Sequence, residues 1–149
     1  MYSQKRQKGN TAEEIVVLYL KNIGFQILDQ NYLKKWGEID IVAKKLRKIH
    51  FIEVKSSVLR KFDGFWENEN KKDWNITVSC ETDDSVFNPT WNMTNKKKTR
   101  FSKIIRTYLA DKCGETMPDF QIDVVSVLLD FYQKVAYINR IENILLETS

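Results

Sequence analysis

The sequence has one histidine, two cysteines and two prolines, and no apolar run long enough to cross a bilayer. Each scarcity narrows what the chain can be. A membrane-spanning helix needs about 18–20 consecutive apolar residues, so no membrane partner is expected. The N-terminal stretch Met1–Lys8 is basic but has no apolar segment behind it, and does not read as a secretory signal. Cys80 and Cys113 lie far apart and match neither a zinc nor a redox spacing. They are expected as reduced thiols, which points to a cytoplasmic protein. The five glycines form no GxSxG, no P-loop and no dinucleotide-binding pattern. An α/β-hydrolase, an NTPase and a dinucleotide enzyme therefore each lack their basic signal. No internal repeat is visible.

What remains is enough for one domain over residues 1–149. Apolar residues make up 42% and aromatics 12%, which supports a real core. The net charge of +4 suits a polyanionic partner such as nucleic acid. It equally suits an ordinary, slightly basic domain.

The most informative stretch runs from Gly37 to Lys55. Gly37-Glu38-Ile39-Asp40-Ile41-Val42-Ala43 alternates, as does Ile49-His50-Phe51-Ile52-Glu53-Val54-Lys55. Successive side chains of a strand point to opposite faces. Glu38, Asp40 and Val42 then share one face of the first strand, and Phe51, Glu53 and Lys55 share one face of the second. The basic segment between them is long enough for a hairpin turn. A turn centred on Leu46-Arg47 sets Asp40 opposite Glu53. Facing carboxylates destabilise a sheet, and burying them unpaired is worse. A divalent cation between them removes the penalty, and oxygen ligands suit Mg²⁺ or Mn²⁺. The alternative is a solvated hairpin face with incidental charges. His50 alternates away from Glu53, so it is expected to pack rather than to act in catalysis.

Asp40 followed by Glu53-Val54-Lys55 resembles the D…(D/E)xK signature of the PD-(D/E)xK nuclease superfamily. The fuller phrase Gly37-Glu38-Ile39-Asp40 resembles the YraN-type family of endonuclease-like proteins, which are also similar to archaeal Holliday-junction resolvases. The likeness extends from Gly9 to Ile144. It implies an α/β fold with a restriction endonuclease-like core: a central mixed β-sheet flanked by helices, in the order αβββαβ. It also implies that Asp40 and Glu53 bind Mg²⁺ or Mn²⁺, assisted by Glu13 and by the backbone carbonyl of Val54, with Lys55 stabilising charge at the scissile phosphate.

Along the chain, residues 1–8 are expected as a flexible basic arm. A helix is expected from Asn10 or Thr11, with Thr11-Ala12-Glu13-Glu14 as a capping box. Ala12, Ile15, Val16, Tyr19, Leu20 and Ile23 form its apolar stripe, and Gly24 ends it. Glu14 has the capping role. Glu13 has no evident structural role, and the family's helix phrase assigns it to the metal site; the alternative is a solvated first-turn glutamate. The first strand is expected near Phe25–Tyr32. From about residue 56 to 95 the periodicity is lost, and an inserted loop region is expected where the family has a shorter connection. Three of the four tryptophans lie there: Trp66, Trp74 and Trp91. They can stack on bases, but burial over the core is the preferred reading.

A second helix is expected from Asn95 to Cys113, with Phe101, Ile104, Ile105, Tyr108 and Leu109 on its buried face. Its first turn carries Lys96, Lys97 and Lys98, and Arg100 follows; all four are candidates for nucleic-acid contact. Cations there oppose the helix dipole, and a bound phosphate would relieve the conflict. A merely solvated basic turn is the alternative. Phe120–Leu129 reads as a central strand and Val135–Ile138 as its antiparallel partner. Asp123 is expected to be structural rather than a metal ligand.

The function implied by the resemblance is metal-dependent hydrolysis of a nucleic-acid phosphodiester by an endonuclease, with DNA the expected substrate, including branched or repair intermediates. The alternative is a nucleic-acid-binding module that keeps the fold without cutting. A third reading is a protein-docking domain. Cutting a four-way junction needs two active sites, so a homodimer is a further expectation of the likeness.

Overall fold

The computed structural model describes residues 4–60, 73–78, 95–144 and 146, with the side chains of 4–8 left aside. Helix α1 spans Gln4–Asn22 and is followed by strands β1 (Gln26–Lys34), β2 (Gly37–Lys45) and β3 (Lys48–Val58). A short strand β4 (Asn75–Val78), helix α2 (Asn95–Cys113) and strands β5 (Phe120–Asp130) and β6 (Val135–Ile141) complete the chain. The strands form one mixed sheet in the order β1-β2-β3-β5-β6-β4. β3 and β5 pair in parallel, as do β4 and β6. This is the α/β architecture of a restriction endonuclease-like core. Among the described residues, no helix is long and apolar enough to cross a membrane.

Two expectations are corrected. The first helix begins at Gln4, and Thr11 lies buried inside it rather than capping it. Gln4 to Lys8 are all good helix formers, and Gly9 and Asn10 each cost no more than about 1 kcal/mol within a helix. A local capping signal therefore did not mark the end. The region after β3 is also less irregular than its periodicity implied. β3 runs on to Val58, and Asn75–Val78 adds β4 to the order inferred from the likeness. Trp74, beside β4, is 5% exposed and meets Phe131 edge to face. Trp66, Trp91 and Cys80 fall outside the described residues.

The C-terminus of α1 obeys a local rule. Phe25 N–H bonds the Leu20 carbonyl and Gly24 N–H bonds that of Lys21, with Gly24 at φ 95°. That pattern is a Schellman cap, whose left-handed residue favours glycine. It turns the chain directly into β1.

The sheet has an apolar layer on each side. Ala12, Ile15, Val16 and Leu20 of α1 pack with Ile41, Ile52, Val125 and Val127 in one cluster. Phe101, Ile104, Ile105, Tyr108 and Leu109 of α2 pack with Val42, Phe51 and Ile122 in another. All five α2 residues are those its periodicity predicts. Polar contacts then hold α2 in place: Tyr108 Oη donates to Asp29 Oδ2 at 2.7 Å and Tyr32 Oη to Asp111 Oδ2 at 3.0 Å. A Cβ on Gly37 would stand 3.3 Å from Ile104 Cβ, so the bare glycine lets α2 lie close on the start of β2.

One buried polar knot ties the sheet together. Asp123 is fully buried and accepts from Gln121 Nε2 (2.8 Å), Arg140 Nη2 (3.3 Å) and the Asn143 N–H (3.1 Å). His50 Nδ1 lies 2.8 Å from Asp123 Oδ2. Asp123 is thus structural, and His50 is packed. Removing one partner of a buried pair leaves the other charge uncompensated. Asp123→Ala is expected to lower the unfolding free energy by about 3 kcal/mol, measured by urea denaturation. An effect below about 1 kcal/mol, close to that of a surface substitution, would show that the knot is dispensable.

Candidate active site

The β2–β3 hairpin turns at Leu46 and Arg47, both in the left-handed region at φ 50° and 66°. Two such residues make a type I′ turn, whose twist matches that of the strands it joins. The register it sets runs from Lys45–Lys48 to Ile41–Ile52. Asp40 and Glu53 occupy the next position, but the paired ladder stops before them. The reason is a side chain. Val54 N–H donates to Asp40 Oδ2 at 2.8 Å, where an undisturbed ladder would give it to the backbone of Ile39. The N–H and C=O of one strand residue face the same neighbour, so the Val54 carbonyl is directed to the Asp40 side. The strands part here, and the gap is the mouth of a cleft.

That cleft has a volume of about 260 Å³ and is lined by Gly37, Glu38, Asp40, Glu53, Lys97, Arg100, Phe101 and Ile104. β2 and β3 supply the carboxylates, and α2 supplies a basic rim and an apolar wall. Lys97 Nζ meets Glu53 Oε1 at 2.8 Å. The four basic residues of the helix start therefore divide. Lys97 and Arg100 line the cleft, whereas Lys96 and Lys98 lie in the same turn outside it.

Glu13 stands on α1, across the sheet from α2. It reaches the same carboxylate group through Asn31. With its amide nitrogen turned toward the carboxylates, Asn31 donates to Glu13 Oε2 at 3.0 Å and Glu38 Oε1 at 3.2 Å. The β1–β2 register, with Gln30 opposite Ile41 and Tyr32 opposite Ile39, sets Asn31 beside Asp40. Asn31 has φ 52°, a conformation asparagine tolerates better than most residues. Asn31 and Glu38 were missed as site residues. Glu38 could have been found, since it alternates onto the face of Asp40. Asn31 carried no signal beyond its residue type.

The electrostatics reflect this crowding. Burial, with further repulsion from Glu13, Glu53 and Glu38, pushes the Asp40 carboxyl up to about 7, against the pull of the Val54 N–H. Burial also raises Glu13, which the Asn31 hydrogen bond partly offsets and Glu38 reinforces. Lys55 is lowered, first by burial and then by Lys97, with Glu53 opposing. Among the described residues, no three His, Cys, Asp or Glu side chains are gathered closely enough to enclose a metal ion. The donors that do face the cleft are oxygens, which suit a hard cation.

A model of the uncharacterised protein family UPF0102 matches residues 12–127. The chain belongs to UPF0102, the YraN-like family. A UPF0102 protein of Helicobacter pylori (strain HPAG1) is 34% identical over 125 residues, 84% of each chain. One of Wolinella succinogenes is 32% identical over 120 residues, covering 80% of this chain and 84% of its own. One of Campylobacter hominis is 32% identical over 119 residues, covering 80% and 81% respectively. The match spans the whole hairpin, so every carboxylate described above lies within the family's part of the chain.

The strain in this cleft has a measurable sign. Asp40 has a folded-state pKa of about 7 against 3.8 for the free side chain. Well below pH 3.8 both states hold the proton and burial is harmless. As pH rises to 7 the unfolded state ionises first, and the folded state loses stability relative to it. Metal-free Asp40→Asn is therefore expected to exceed wild type in stability by about 1–2 kcal/mol at pH 8, and to approach it as the pH falls below about 3.8. Thermal melts in EDTA at both ends of that range would read this difference. A variant less stable than wild type at pH 8 would mean that Asp40 is held by compensating interactions.

Proposed function

We propose that this UPF0102 protein is a metal-dependent endonuclease of the PD-(D/E)xK type that hydrolyses nucleic-acid phosphodiesters, with DNA as substrate. The observation that carries the reading is the cleft in which Asp40 and Glu53 stand together beneath a basic rim of Lys97 and Arg100. Carboxylates crowded into a partly buried gap lower the stability of the metal-free protein, and a divalent cation is the natural remedy.

The donor set fits Mg²⁺ or Mn²⁺. Mg²⁺ keeps several of its waters and is commonly held by one or two carboxylates together with substrate phosphate. Asp40 and Glu53 would hold the ion, assisted by the Val54 carbonyl; Glu13, engaged by Asn31 on the α1 side, would join them only by moving its side chain. When bound, the ion supplies Lewis acidity at the scissile phosphate and at the attacking water. Lys55 stabilises charge that develops on the phosphate. Its ammonium also helps to orient the attacking water. Asn31 fixes the Glu13 and Glu38 carboxylates relative to each other. Arg100 and Lys97 draw the phosphate toward the cleft, while Lys96 and Lys98 meet neighbouring phosphates along the same turn. Loading the site requires Lys97 to leave Glu53, and an arriving phosphate gives it another anion to pair with.

A binding module without catalysis is the second reading. It is favoured by the same Lys97–Glu53 pair, which neutralises one carboxylate without any metal. The two separate on a panel of labelled single-stranded, duplex, flap and four-way DNA offered with Mg²⁺ or Mn²⁺. Wild type is expected to cut at least one substrate only with metal. Asp40→Asn should abolish cutting, and Lys55→Met should slow it about 100-fold, the loss typical of removing one charge-stabilising donor. Metal-independent binding with no cutting of DNA or RNA would establish the second reading. On a four-way junction a homodimer would be needed, and sedimentation with that substrate would report it.

A further inference from the structure

The two residues that close the β1–β2 hairpin are Lys35 and Trp36, since Lys34 pairs with Gly37. Tight turns favour Gly, Asn, Asp and Pro for conformational reasons, and neither turn residue here has positive φ. A tryptophan at this tip is therefore not required by the turn. Nor is it buried: Trp36 is 37% exposed, and Leu33 beside it is 67% exposed.

The ring is nonetheless held in one place. Trp36 Nε1 donates to Thr107 Oγ1 on α2 at 3.3 Å, and the Thr107 hydroxyl in turn donates to the Lys103 carbonyl at 2.9 Å. The Lys103 ammonium lies 5.2 Å from the ring centroid. The next residue, Gly37, lines the cleft that holds Asp40 and Glu53. Lys34, Lys35, Arg100 and Lys103 are exposed around this edge. The acidic groups nearby are engaged: Asp111 accepts from Tyr32, and Glu38, exposed on the cleft lining, accepts from Asn31.

An anchored, half-open indole ringed by cations at the lip of a phosphate-cutting cleft matches the chemistry of an unpaired nucleotide. Bases stack on aromatic rings while neighbouring cations track the backbone. A base inside a duplex is already stacked on both faces and has nothing to gain. We propose that Trp36 is a stacking platform for an unpaired base next to the scissile phosphate, so that the site prefers single-stranded or branched nucleic acid over continuous duplex. The inference rests on the nuclease reading for the identity of the ligand, but concerns binding and not cutting.

The test is fluorescence anisotropy in EDTA with the full-length Asp40→Asn protein, which separates binding from cleavage. The probes are a labelled single strand, the matching blunt duplex, and a duplex with a single-stranded tail. Trp36→Ala is expected to weaken binding to the single strand and the tailed duplex about tenfold, in line with the loss of one stacked base, and to change the blunt duplex less than about twofold. Trp36→Phe should keep most of the affinity. Thr107→Val, which removes the indole anchor and keeps the ring, should weaken the single strand and the tailed duplex by a smaller factor than Trp36→Ala does. On a duplex with a tail of abasic nucleotides, the proteins with and without Trp36→Ala should bind equally. Equal losses on all three probes would mean that the ring only shapes the turn, and would overturn the inference. No change on any probe would overturn it too, leaving the Trp36–Leu33 edge to a protein partner. If the unsubstituted tip binds none of the probes, nor the equivalent RNAs, the nucleic-acid reading falls with it.

Discussion

The hydrogen bond from Val54 N–H to Asp40 Oδ2 is the contact on which the site depends. A hairpin ladder left to itself would continue, and the facing carboxylates would be driven together at sheet spacing. One carboxylate oxygen takes a backbone donor instead. This satisfies the Val54 amide, anchors Asp40 and ends the ladder at Ile41–Ile52, before it reaches the carboxylates. A sheet that must part at one point needs to be held firmly on both sides of it. Here β3 pairs along its length with β5, and β1 keeps pairing with β2 as far as Gly37. The opening is therefore local.

The rest of the molecule brings charges to that opening from three directions. α1 carries Glu13 from one face, α2 brings Lys97 and Arg100 from the other, and Asn31 on β1 links Glu13 to Glu38 around the strand end. Each of these elements is fixed by apolar packing, and the packing residues are interleaved with the charged ones. Phe101 and Ile104 anchor α2 and also wall the cleft. Asp123 does the opposite work. It collects His50, Arg140, Gln121 and the Asn143 amide into a buried network in which both of its own oxygens are engaged. The contrast between the two aspartates is instructive: one is surrounded by donors, the other by three more carboxylates.

Much of this was legible in the sequence wherever a local rule governed it. Alternation gave the strands of the hairpin, and a turn centred on Leu46-Arg47, which sets Asp40 opposite Glu53, is the one the structure has. Helical spacing identified every buried residue of α2. The Schellman cap was visible as Gly24. The start of α1 was not legible, because its flanking residues are compatible with helix and the Thr11 capping pattern is coincidental. β4 escaped notice because four residues in a parallel pair carry almost no periodic signal; their partner, β6, lies far away in sequence. The Lys97–Glu53 pair and the Asn31 link depend on how long side chains reach between elements. No spacing along the chain encodes that.

The central parallel pairing has a consequence for how the chain tolerates change. Ile49 meets Phe120 and Val58 meets Leu129, so a long excursion leaves the sheet after β3 and returns to its middle. Both ends of that excursion are clamped, and β4 pins it again at the far edge. The register beside Glu53 is fixed by the strand pairing itself, with Glu53 opposite Val124, and does not depend on the length of the connection between β3 and α2. The hairpin that carries the carboxylates is insulated from a change of length there.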